Sequence, residues 1–149
     1  MRRLLTILLI TTTMLAAERQ GQAAADPADS AIVVIAHRSA PDTVLDKNAL
    51  LDFYTGDITA WSDGTRVVVL DLDDHQDLRD RFFDYLGKTS SRMRSIWLKN
   101  MLSGEGRPPD ALRDEEEVVR RVLATPGAIG FISKAKVPEN VKVLLTISE

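Results

Sequence analysis

ALLDFYTGDITAWSDG, residues 49–64, is the stretch that decides the fold. Leu50, Phe53 and Tyr54 recur at helical spacing, Asp46 just upstream is a residue type that caps helices, and Gly56 suits the left-handed position that stops one. The chain then runs through Ile58 and Trp61 into Ser62-Asp63-Gly64, a turn signal, and Val67, Val68, Val69 and Leu70 follow as an apolar run of strand character. These residues encode a helix delivered to a buried strand by a Trp-bearing loop.

Upstream, residues 32–36 (IVVIA) form a short β-branched apolar run of the kind found in a buried central strand. Downstream, Leu78, Phe82, Tyr85 and Leu86 mark the inward face of a helix that stops at Gly87. Thr89 or Ser90 then caps another helix, containing Met93, Ile96, Trp97 and Met101. Residues 103–109 (SGEGRPP) are a loop, because two glycines and two prolines fit neither regular element without cost, and they form a candidate binding loop. Acids at 114–117 load the first turn of a further helix, favourable against its positive dipole end, with Val118, Val119, Val122 and Leu123 as its core face. Pro126-Gly127 ends it, residues 128–132 read as a short strand, and residues 141–147 close the domain as a longer one. Strands alternate with helices, which predicts an α/β fold with a mixed sheet flanked by helices.

The chain has 149 residues and a net charge of -3, and its 44 % hydrophobic content is that of a globular protein. Residues 1–25 read as a secretory signal: Arg2 and Arg3 form the basic start, an apolar run follows, and Ala23-Ala24-Ala25 supplies a cleavage site. That apolar run is shorter than the roughly 20 residues of a membrane-spanning helix, so the expected product is a periplasmic protein with no membrane span after cleavage. Residues 26–149 suffice for one domain with its own core. There is no cysteine, hence no disulfide and no lipid-modified N-terminal Cys. No basic face of the kind nucleic acid requires is present. Arg79, Arg81, Lys88, Arg92, Arg94, Lys99 and Arg107 read as a solvated helix surface.

Two segments follow strands and so occupy the position where α/β proteins commonly bind ligands: His37-Arg38-Ser39 and the acidic run from Asp71 to Asp77. They are expected to line one crevice at the strand C-terminal ends, with Arg38, Ser39, Asp74, His75, Gln76 and Asp77 as candidate ligand-binding residues. Asp73, His75 and Asp77 alternate as donors, but the run lacks the Gly and terminal Glu of a calcium loop, so no metal is assigned and the acids are read as wet helix caps. Ser39 has no nucleophile elbow around it, and Gly104 and Gly106 are not followed by Lys-Ser or Lys-Thr, which argues against a hydrolase and a nucleotide site. No catalysis and no cofactor are expected. Trp61 and Trp97 read as core more readily than as ligand platforms.

Taken together, residues 53–64, the strand from Val67, Phe82-Phe-Asp-Tyr-Leu86, the Trp97 helix and residues 125–131 (TPGAIGF) resemble the phosphate-binding proteins of ABC importers, and more closely their small single-lobe relatives, in which residues 104–109 also recur. The resemblance covers about Ile32 to Val143 and implies a type II periplasmic-binding-protein lobe that holds a small anion at helix N-termini. It also implies an ABC transporter or another envelope protein as partner. In the family the strand after the Trp loop leads to Arg-Ser-Asp-Gly-Ser-Gly-Thr, whose hydroxyls and N–H groups hold phosphate; residues 72–78 are LDDHQDL, and Asp74 alone matches. Carboxylates replace hydroxyls where a dianion should dock. Two unit charges about 4 Å apart repel by roughly 4 kcal/mol at an effective dielectric of 20. The alternative implied is a protein-interaction module that kept the lobe and lost the ligand.

Overall fold

The computed structural model describes residues 30–73 and 77–148. The reading of residues 1–25 as a signal, and Asp74, His75 and Gln76, lie outside the described residues. In chain order the elements are β1 (Ile32–Ala36), α1 (Lys47–Thr55), β2 (Val68–Leu72), α2 (Asp77–Tyr85), α3 (Ser90–Ser103), β3 (Asp110–Leu112), α4 (Glu115–Ala124), β4 (Ala128–Ser133) and β5 (Lys142–Ile147), with a single 3-10 turn at Lys134–Lys136.

The five strands form one sheet in the order β3-β2-β4-β1-β5. β2 runs parallel to both β3 and β4, whereas β1 runs antiparallel to β4 and to β5. The sheet is therefore mixed, as expected, and β1 points the opposite way from β2. All five residues of β1 are buried, as its unbroken apolar run requires of a strand flanked on both sides.

Alternation along β4 assigns the helices to the two faces of the sheet. Phe131 points toward α2 and α1: its ring stacks on Phe82 at 3.9 Å between centroids and lies 6.1 Å from Tyr54. The preceding residue faces α4, where a Cβ added at Gly130 would sit 2.7 Å from Val118 Cγ1. Phe83 meets Trp97 edge-on at 5.9 Å, so α2 and α3 pack as the expected pair. Burying one such aromatic side chain contributes about 1.5–3 kcal/mol, and this cluster of five rings is the centre of the core.

The helix ends form as the residue types dictate. Asp46 accepts from Ala49 N–H at 2.8 Å, Thr89 from Arg92 N–H at 3.1 Å and Asp114 from Glu117 N–H at 2.8 Å. Gly56 stops α1 at φ 85° and Gly104 stops α3 at φ 76°. Four details differ from the sequence reading. β3 is an additional three-residue edge strand; β2 starts one residue later and runs on to Leu72; Met101 is 51 % exposed; and on α4 Leu123 faces outward.

Candidate functional site

The motif at residues 53–64 turns out to be structural. Phe53 and Trp61 pack edge-on at 5.1 Å, and the Trp61 indole N–H donates to Gly127 C=O at 3.0 Å. Trp97 likewise donates to Tyr54 C=O at 2.7 Å. Both indoles are buried with their donors used inside the fold, in keeping with the core assignment. In the turn, Asp63 accepts from Thr65 N–H at 2.8 Å, and that backbone bond holds its carboxyl below the usual carboxylate range.

Among the described residues the two candidate ligand segments do not meet. His37 N–H donates to Ala128 C=O at 2.9 Å, and Ala128 is also the partner of Val68, so His37-Arg38-Ser39 lies at the end of the sheet where β2 and β4 begin. Asp71, near the end of β2, and Asp73 and Asp77 after it lie toward the far end of the sheet, roughly 15 Å away at about 3.3 Å per strand residue. At that far end, Arg81 of α2 donates to Ser30 C=O at 2.7 Å, just before β1 starts. The expectation of one crevice is corrected by the direction of β1: its C-terminal end and that of β2 face opposite ways. Arg38 and Ser39 are exposed, and the His37 ring lies 2.7 Å from Ser39 Oγ, a local contact at a loop.

At the β2 end the chemistry is set by an ion pair. Asp71 is 2 % exposed and Arg79 is also 2 % exposed. The Arg79 Nε lies 3.1 and 3.0 Å from the two Asp71 oxygens, and Nη2 is 2.9 Å from Oδ2. Asp71 Oδ1 also accepts from Leu72 N–H at 2.8 Å. The guanidinium lies 4.9 Å from the Phe83 ring centre and 5.8 Å from that of Trp97. The readings of Arg79 as part of a solvated helix surface and of Asp71 as a wet acid are thereby corrected. The signal was present in the sequence: Arg79, Phe82, Phe83 and Leu86 follow i, i+3, i+4, i+7 spacing, which places Arg79 on the inward face.

Around this pair, the positions open to solvent are acidic. Asp73 is exposed, with its N–H bonded to Leu112 C=O at 2.8 Å, and Asp77 and Asp80, also exposed, occupy the first turn of α2. Asp80 accepts from Ser90 Oγ, tying α2 to the start of α3. The first turn of α2, whose N–H groups would face an anion, thus carries the carboxylates of Asp77 and Asp80, with Asp73 four residues before it in the chain.

Tyr54 lies beneath this end of the sheet, fully buried, and its hydroxyl donates to Leu70 C=O at 2.8 Å. Burial first, and the Asp71 charge second, raise its pKa well above 10. The stability this contributes is complete below about pH 10, the ordinary value, and is lost as pH rises above it, because only the unfolded chain ionises; the slope approaches about 1.4 kcal/mol per pH unit. Urea midpoints measured from pH 8 to 11 should fall above pH 10, and less steeply in Tyr54→Phe.

No family model matches the chain, and no curated protein matches it. Solved structures do. A phosphate ABC transporter substrate-binding protein from Clostridium perfringens, solved with bound phosphate, aligns over 76 % of this chain with a TM-score of 0.64 and 23 % identity. The fold is that of a periplasmic-binding-protein lobe. An ABC-type phosphate transport receptor from Vibrio cholerae (TM-score 0.61, 19 % identity) and PstS from Borrelia burgdorferi (0.58, 16 %) each align over 76 % of this chain. These likenesses are of fold. This chain spans 43 %, 44 % and 46 % of the three proteins' chains, less than half of each. Among the described residues no helix is long and apolar enough to cross a membrane.

Proposed function

We propose that this protein is an exported, non-enzymatic solute-binding-type lobe that serves small-anion uptake in an accessory capacity, touching the anion weakly and acting with a partner. The observation that carries this reading is the pairing of a phosphate-receptor lobe fold with Asp73, Asp77 and Asp80 around the start of α2. A helix N-terminus attracts anions through its free N–H groups and dipole, but carboxylates in the same turn satisfy that field first. The one cation on the inner face of α2, Arg79, is engaged by Asp71.

A second reading, an envelope protein-interaction module that has dispensed with the ligand, is favoured by the same acids. Uptake separates the two. Cells lacking the protein should take up radiolabelled phosphate or sulfate more slowly at limiting concentration, and an intact gene copy should restore the rate. Unchanged uptake of both anions would remove the transport role. A rate that Asp73→Ser with Asp77→Gly leaves untouched would favour the interaction module.

A further inference from the structure

Among the described residues, α3 presents a face that no other element covers. Its inward side is fixed by Met93 and Trp97, both buried, and by Asn100, whose side-chain amide donates to Thr55 C=O at 2.8 Å. On the opposite side Ser91, Ser95, Leu98 and Leu102 are all exposed. Their 4-3-4 spacing is the seam pattern of a helix that packs against another helix. Leu98 and Met101 are each 51 % exposed and Leu102 is 78 % exposed, and a shallow hollow of about 520 Å³ opens between Ser95, Leu98, Lys99, Leu102 and Ser103. The two serines let a partner backbone come close, and the leucines supply apolar contact.

Charge selects the occupant. Arg92 and Lys99 flank the seam on one side and Arg94 on the other, and residues 88–107 hold five basic residues against Glu105 alone. The whole chain carries -3, so the cations are concentrated on this surface. A second copy would bring Arg92 and Lys99 against their own kind across the seam. A bilayer surface is poorly served, because Trp97 points inward, three apolar side chains bury little area, and the acidic remainder is repelled by anionic lipid.

We infer that the Ser91-Ser95-Leu98-Leu102 seam of α3 docks an amphipathic helix of a different protein, one whose apolar stripe is bordered by Asp and Glu. Flanking charges of this kind set partner choice and orientation in paired helices. The surface runs along α3 from Ser91 to Leu102, on a different helix from the acidic start of α2, and the inference stands whether or not an anion binds there.

The test places a photo-crosslinking residue at position 102 of the full chain in the cells that make it, with the crosslinked peptides identified by mass spectrometry. The expected adduct joins position 102 to an amphipathic helical segment of another protein with carboxylates beside its apolar stripe. Arg92→Glu with Lys99→Glu should cut its yield about tenfold or more, and reversing the facing carboxylates to lysine should restore it. Both changes are on exposed positions, and an unaltered thermal midpoint would show the fold intact. An adduct with a second copy, an adduct with lipid, no adduct, or one indifferent to charge reversal would each overturn the inference. Phosphate titration of the charge-reversed chain should match that of the unmodified chain, which separates this surface from the anion role.

Discussion

Asp71→Ala is expected to destabilise the lobe by about 3–5 kcal/mol, because it strands the Arg79 guanidinium, 2 % exposed and set between Phe83 and Trp97, without the carboxylate it grips at 2.9–3.1 Å. A loss of this size is a large share of the 5–15 kcal/mol that holds a typical domain together. Removing both charges is a different experiment. Replacing a buried ion pair with apolar residues of similar volume is often neutral or stabilising, so Asp71→Leu with Arg79→Met should recover most of the loss. Urea unfolding of the two single variants and the double variant gives the coupling directly. Single-variant losses below about 1 kcal/mol, the range of surface pairs, would show that the pair is not buried in solution.

Gly127→Ala is expected to cost about 3 kcal/mol or more. Gly127 sits at φ 80°, where a side chain costs about 1–2 kcal/mol, and a Cβ there would lie 2.4 Å from the Arg66 carbonyl oxygen. Overpacking adds about 1–3 kcal/mol, and here the obstacle is backbone that cannot rotate away. The shift would also strain the Trp61 indole bond to Gly127 C=O and the Val68 N–H bond to the same carbonyl at 3.0 Å. A thermal midpoint lowered by several degrees, with loss of the near-UV signal of Trp61, is the expected outcome. A midpoint within about one degree of the parent would contradict the close approach of these two loops.

The fold was largely legible because local and tertiary signals agree in this chain. The unbroken apolar run at Ile32 to Ala36, the cap pair Asp46 and Gly56, and the acidic first turn of α4 each point to the element that forms. β3 was not legible: three residues with one buried, Leu112, carry no periodicity, and their strand character comes only from pairing with β2. The expectation of one shared crevice failed for a physical reason of the same kind. Both candidate segments follow strands, and reading both as C-terminal ends on one side of the sheet takes those two strands to share a direction. β1 instead pairs antiparallel with both of its neighbours, and that is a property of sheet assembly that no local run of residues records. Arg38 and Ser39 therefore sit at the far end of the sheet from Asp77. The role of Arg79 was hidden differently, because charge was given more weight than its place on the apolar face of α2.

Calorimetric titration of the purified chain with phosphate near pH 7 tests the central claim most directly, namely that carboxylates now stand at the helix start where a dianion would dock. Binding should be weaker than about 1 mM, equivalent to less than roughly 4 kcal/mol, and Asp73→Ser with Asp77→Gly should tighten it by about tenfold or more. Saturation of the unmodified chain at micromolar phosphate, with the double variant no tighter, would contradict it.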